Sequence, residues 1–144
     1  MAESKLWNLS VEFSVKIIKL CESIKGHYSL TNQLERSGTS IGANIHEANY
    51  AHSKPDFISK LQIALKECYE TEYWLELFMK SEILDKDKVK EIYNECGTIR
   101  KILISSINTA KKNSWFERKH KKKKWPLIAF KTCNQGSLLF TLCI

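Results

Sequence analysis

Glycine and proline are scarce in this chain, at five and two residues, which excludes an all-β domain built on many tight turns. No CxxC pair occurs, and the cysteines, at positions 21, 68, 96, 133 and 143, follow neither zinc-finger nor disulfide-framework spacing. No stretch approaches the roughly 20 apolar residues of a membrane-spanning helix. The opening MAESKLWNLS has no apolar run of the signal-peptide kind. A serine nucleophile elbow and a glycine-rich phosphate loop are both missing. What is present is 144 residues, 43% hydrophobic and 27% charged, enough to bury the core of one domain. The expectation is a reduced, mainly helical, cytoplasmic protein.

The net charge of +7 suggests a nucleic-acid partner until it is divided along the chain. Residues 1–113 carry 16 Lys+Arg against 15 Asp+Glu, and residues 114–144 carry 7 against 1. Counterion release acts through clustered cations rather than through a bulk isoelectric point. The excess therefore belongs to the tail.

Apolar spacing predicts four helices. The first covers about Ser4 to Lys25, with Leu6, Leu9, Phe13, Ile17, Leu20 and Ile24 on one stripe before Gly26 breaks it. The second starts near Ser29, a plausible N-cap, and runs to about Tyr50 on Leu30, Leu34, Ile41, Ile45 and Ala48, with Ser37 or Gly38 at the remaining step. Gly38 and Gly42 share a face and cost about 1 kcal/mol each relative to alanine. A close crossing by a neighbouring helix accounts for them better than a backbone exposed for ligand contact. The third helix opens on Ser53-Lys54-Pro55-Asp56, which supplies a cap, a first-turn proline and an acid at the positive helix end. Phe57, Leu61, Ala64 or Leu65, Cys68, Leu75, and Phe78 or Met79 then form its apolar face, opposite Lys60, Glu67, Glu70 and Glu76. Asp85 caps the fourth, whose repeat is Val89, Ile92, Cys96, Ile99, Leu103, Ser106 and Ala110. Short loops between such helices point to an all-α, up-down-up-down antiparallel four-helix bundle over residues 1–113. Residues 114–144 form a basic and apolar C-terminal tail to which the pattern assigns no structure.

Candidate chemistry is thin. His46-Glu47 opens like HExxH, but the next histidine, His52, lies six residues on. On a helix the two would stand about 120° apart and could not share one zinc site. Cys68 and Cys96 fall on apolar stripes and Cys21 adjoins Leu20, the placement of buried, inert thiols. No catalytic, cofactor-binding or metal-ligating residue is assigned, and no enzyme is expected. Arg36, Ser40, Asn44 and Glu47 partly share a face of the second helix. A network that fixes helix register or a subunit contact explains them more simply than a ligand contact. The tail gathers Lys111, Lys112, Arg118, Lys119, Lys121, Lys122, Lys123 and Lys124 near Trp115, Phe116 and Trp125. Phosphates with stacked bases, an anionic membrane surface, or plain solvent all suit that composition.

The segment Leu34-Glu35-Arg36-Ser37-Gly38-Thr39-Ser40-Ile41-Gly42-Ala43-Asn44-Ile45-His46-Glu47-Ala48 resembles the signature of four-helix bundle proteins encoded in bacterial ribosomal-RNA intervening sequences. The superfamily includes the accessory variability determinant of diversity-generating retroelements. Gln33, Leu34, Arg36, Ser40, Ile41, Asn44, Ile45 and Glu47 match the family pattern, whereas Ser37 and His46 replace alanines and Ala48 a glycine. Lys54, Phe57, Ile58, Leu61, Ile63 and Ala64 match too, as does the stretch around Glu70, Glu72 and Leu75. The resemblance covers about residues 5–112 and leaves out the tail. It implies a left-handed bundle that assembles as a homopentameric barrel. In the retroelement relatives that barrel binds nucleic acid and a reverse transcriptase through a basic surface, whereas residues 1–113 here are nearly neutral. The expected function is a non-enzymatic, oligomeric, RNA-associated protein, with a protein–protein adaptor that binds no nucleic acid as the alternative.

Overall fold

The computed structural model describes residues 5–119, and side chains as far as residue 112. Four helices follow one another: α1 Lys5–Ser23, α2 Tyr28–Asn49, α3 Lys54–Lys80 and α4 Lys86–Lys119. No strand occurs among the described residues. Each helix packs on its chain neighbours and α1 closes on α4, while among the described residues the diagonal pairs do not meet. Lys16 of α1 pairs with Glu91 and Glu95 of α4, and three short turns between consecutive helices set α1 antiparallel to α4. The molecule is the expected four-helix bundle.

The turns bear out most of the start and stop signals. Ser53 caps α3, its hydroxyl accepting from the Asp56 N–H at 3.3 Å, with proline in the first turn. Asp85 caps α4 by accepting from the N–H groups of Asp87 at 2.9 Å and Lys88 at 3.2 Å. Ser29 is not the cap of α2; it lies inside the first turn. The cap position is His27, in the left-handed region at φ 52° with no side-chain cap bond. It follows Gly26 at φ 78°, and two consecutive positive φ angles reverse the chain sooner than a serine cap would.

The core takes one stripe from each helix. Phe13, Ile17, Leu34, Ile41, Leu75, Phe78, Ile99 and Leu103 are essentially sealed from solvent, each contributing about 1.5–3 kcal/mol by its burial. Leu6 and Leu9 pack only partly at the edge. Ala64 and Phe78 take the inward positions of α3, with Leu65 and Met79 half-buried beside them. In α4 the strict heptad fails at its end, where Ile107 is buried in place of Ser106. A straight helix of 3.6 residues per turn drifts off a 3.5-residue repeat, and a four-residue step restores the inward direction. The helix itself continues beyond residue 113 to Lys119.

The α1–α2 crossing is close. A Cβ built on Gly38 would stand 2.8 Å from Ile17 Cγ2, and one on Gly42 would stand 3.1 Å from Ser14 Oγ. Ser10 and Ser14 face this seam with their hydroxyls donated back into their own helix, to the carbonyls of Trp7 at 2.7 Å and Ser10 at 2.8 Å. Gly42 lies against Ser10 and Ser14 and Gly38 makes room for Ile17, so the glycines serve packing. The α1–α4 seam is the thinnest of the four.

Candidate functional site

The residues that carry the family pattern split between two environments. Arg36 and Glu47 are exposed on α2, and Ser40 and Asn44 are half-buried. Asn44 Nδ2 donates to the Ser40 carbonyl at 2.9 Å, one turn back on the same helix. Glu47 pairs across to Lys60 of α3, and the cation at Arg36 acts on Glu67 of α3. Arg36 and Glu47 stand three turns, about 16 Å, apart along the axis. The four therefore form separate α2–α3 and within-helix contacts, not one cluster.

The polar contacts that do cross the core involve residues outside that set. Thr71 Oγ1 lies 3.1 Å from Ser37 Oγ with both side chains fully buried, and it donates to the Glu67 carbonyl at 2.8 Å. Next to it Glu72, 8% exposed, accepts from Arg100 Nε of α4 at 2.8 Å, while the guanidinium stands 5.5 Å from the Tyr69 ring. Hydrogen bonding to Glu72 raises the Arg100 pKa above its ordinary value, against desolvation. The sequence holds one signal for these groups: the apolar stripe of α3 skips a turn between Cys68 and Leu75, where Thr71 and Glu72 sit. Among the described residues no buried side-chain nitrogen or oxygen lacks a partner.

The described thiols, Cys21, Cys68 and Cys96, are all buried and unpaired in disulfides, with Cys21 Sγ donating to the Thr31 carbonyl and Cys96 Sγ to that of Cys68. Burial pushes the Cys21 thiol up to about 12, with a smaller push from Glu35. At pH 8 its thiolate fraction should be roughly a thousandfold below that of a free thiol. Alkylation followed by mass spectrometry is expected to label Cys21 rapidly only after unfolding in urea; rapid native labelling would contradict this burial. Cys133 and Cys143 lie outside the described residues.

His46 and His52 lie in separate surroundings. His52 falls beyond the end of α2, where its backbone N–H donates to Asp56 Oδ2 at 3.1 Å, and the His46 ring packs between Trp7 and Tyr50. Among the described residues no group of three or more His, Cys, Asp or Glu could hold a metal ion. None of their helices is long and apolar enough to cross a membrane.

Charge is distributed unevenly between the bundle's ends. The start of α1, the end of α2, the start of α3 and the late turns of α4 share one end. Lys54 and Phe57 line a shallow cleft there with Ser105, Ser106, Thr109 and Ala110 of α4. Lys5, Lys54, Lys111 and Lys112 belong to this end. Its described acids are engaged, Glu47 by Lys60 and Asp56 by the His52 N–H. The opposite end mixes signs, with Glu82, Asp85 and Asp87 among Lys80, Lys86 and Lys88. Arg118 and Lys119 lie on the helix beyond the described side chains, and Lys121, Lys122, Lys123 and Lys124 outside the described residues.

The family model for the 23S rRNA-intervening sequence protein matches residues 2–105. Among solved structures, a crystal structure of a protein with unknown function from the S23 ribosomal protein family of Bacteroides thetaiotaomicron is 46% identical, with a TM-score of 0.67. That match covers 71% of this chain and 97% of the other. No curated protein matches the chain. With the matched region reaching from α1 into α4, the chain belongs to the 23S rRNA-intervening sequence protein family.

Proposed function

We propose that this protein is a non-enzymatic, cytoplasmic, homo-oligomeric bundle that binds RNA through its cationic end and tail. The observation that carries the reading is the gathering of Lys5, Lys54, Lys111 and Lys112 at one end of the bundle; Arg118 and Lys119 are the next cations on α4, and Lys121 to Lys124 follow in the sequence. Clustered cations at one end bind a polyanion far better than the same charges spread evenly. The family's name, tied to ribosomal RNA, supports the same partner. Residues 1–113 act as the assembling bundle and 114–144 as its phosphate-contacting extension.

Assembly draws support from a separate feature. Val11, Val15 and Ile18 of α1 are 42%, 44% and 38% exposed and follow one another at helical spacing along the outer face. This stripe fits a second copy, with the pentamer as the expected form. It equally favours the adaptor reading, in which the bundle assembles or docks proteins without touching RNA.

A salt titration of RNA affinity, with mass measured in parallel, tests both readings. The full chain should bind single-stranded RNA with a steep salt dependence and run at about five times its 16.7 kDa. Changing Lys121 to Lys124 to glutamine should flatten the log–log salt slope by about 3 if each contacts a phosphate. An assembled protein with no RNA affinity at any salt would leave the adaptor reading standing.

A further inference from the structure

We propose that Trp7, His46 and Tyr50 form a stacking site for an unpaired base of single-stranded RNA. The site rests on the RNA-binding reading above and gives it a chemistry beyond charge. Trp7 lies in the first turn of α1, His46 in the last turn of α2, and Tyr50 at its C-cap. The His46 ring centroid stands 4.7 Å from that of Trp7, tilted 38°, and 5.1 Å from that of Tyr50, tilted 57°. The rings make an open staircase instead of a closed core stack. Tyr50 is 63% exposed and His46 is exposed as well, positions at which burial gives little reason for an aromatic residue.

Two further observations point to a nucleotide. A groove of about 310 Å³ continues from Trp7 and His46 between the helices. Val11 and Val15 on its α1 side belong to the stripe given to a second copy, so a base enters only at the Trp7–His46 end. The rings at that end suit the flat face of a base, whereas the Ser14 and Thr39 hydroxyls along the groove are already donated to the Ser10 and Glu35 carbonyls. The staircase also stands at the cationic end, with Lys5 two residues before Trp7 and Lys54 four residues after Tyr50. Aromatic faces flanked by cations are how proteins hold single strands, the rings taking bases and the lysines the phosphates. A duplex, whose bases are already stacked on one another, has no free face to offer. The site therefore selects single-stranded RNA.

The test compares three probes of equal phosphate count on the full-length protein: a single-stranded RNA, the same backbone with abasic riboses, and a duplex. Phosphate count is constant, and the abasic strand differs from the intact one only in lacking its bases, so that comparison reports base contact. The duplex, which releases more counterions per phosphate, should bind with no dependence on Tyr50. A Tyr50-dependent duplex affinity would overturn the selection of single strands. The single strand should bind about five-fold or more tighter than the abasic strand. Tyr50→Ala and His46→Ala should each abolish most of that preference without changing the melting temperature or the salt slope, and Tyr50→Phe should retain it. Equal affinity for intact and abasic strands would overturn the stacking site while leaving RNA binding through charge intact. No binding of any probe by the wild type would overturn both. A Tyr50→Ala protein with altered mass and unaltered preference would assign the rings to a contact between copies, and overturn the proposal.

Discussion

Replacing Gly38 with valine is expected to destabilise the bundle by about 3 kcal/mol. A Cβ at this position would stand 2.8 and 2.9 Å from the two γ carbons of Ile17 and 3.3 Å from its Cβ. Those atoms cannot swing aside, because Ile17 is fully buried and its branched side chain is confined to few rotamers. Valine adds two further carbons into the same space. Alanine at position 38 should cost less, about 1–2 kcal/mol, because its better helix propensity returns about 1 kcal/mol. Gly97 supplies the control. A Cβ there would meet Glu72 Oε1 at 3.7 Å and Arg100 Nη2 at 3.9 Å, ordinary contact distances, so Gly97→Ala should leave stability unchanged or raise it by up to about 1 kcal/mol. Urea unfolding of the three variants decides the matter. If Gly38→Val and Gly97→Ala unfold at the same midpoint, close approach of α1 is not the reason for Gly38.

The Glu72–Arg100 pair should show the other large effect. Arg100→Ala is expected to cost about 3 kcal/mol, because it strands a carboxylate only 10% exposed at its side chain in the packed centre of the bundle. Glu72→Ala should cost less, since the Arg100 side chain is 28% exposed and its guanidinium can turn to water or remain on the Tyr69 ring. The double variant should lose clearly less than the two single losses added together, by about 1 kcal/mol or more. Additive losses in thermal or urea unfolding would mean that the two groups act independently, contrary to the 2.8 Å contact between them.

Much of this fold is legible in the amino-acid sequence. The caps at Ser53 and Asp85, the apolar stripes and the packing role of Gly38 and Gly42 follow from local chemistry that a helix imposes wherever it forms. Three features were less accessible, each for a physical reason. His27 begins α2 in a left-handed conformation that a propensity for N-capping assigns to Ser29. Ile107 replaces Ser106 in the core because a helix advances by 3.6 residues per turn, not by the 3.5 of an ideal heptad. Thr71 and Glu72 are buried in spite of their polarity because Ser37 and Arg100, from two other helices, arrive to bond them. Periodicity finds apolar residues, and a buried polar group declares itself only through its partner.

The candidate site was less legible still. Arg36, Ser40, Asn44 and Glu47 stand out in sequence, yet they point to separate contacts along the α2–α3 side. The aromatic staircase joins residues on different helices, with Trp7 and His46 39 positions apart in the chain. No local pattern links them. The cationic end was half visible: Lys111 and Lys112 belong to a charge run, whereas Lys5 and Lys54 join them only once the helices are set antiparallel.

The thin α1–α4 seam has a dynamic consequence. Its ion pairs, from Lys16 to Glu91 and Glu95, are 34–72% exposed at their side chains, and such surface pairs hold about 0–1 kcal/mol each. No turn joins α1 to α4, so parting them strains no loop, whereas α1 and α2 stay clasped at their glycines. Partial opening therefore has a preferred hinge: the α1–α2 hairpin swings as a unit from the α3–α4 pair, like a book opening at its spine. An RNA or a second copy that bridges α1 and α4 would bind the shut book and slow the exchange of every amide behind that seam.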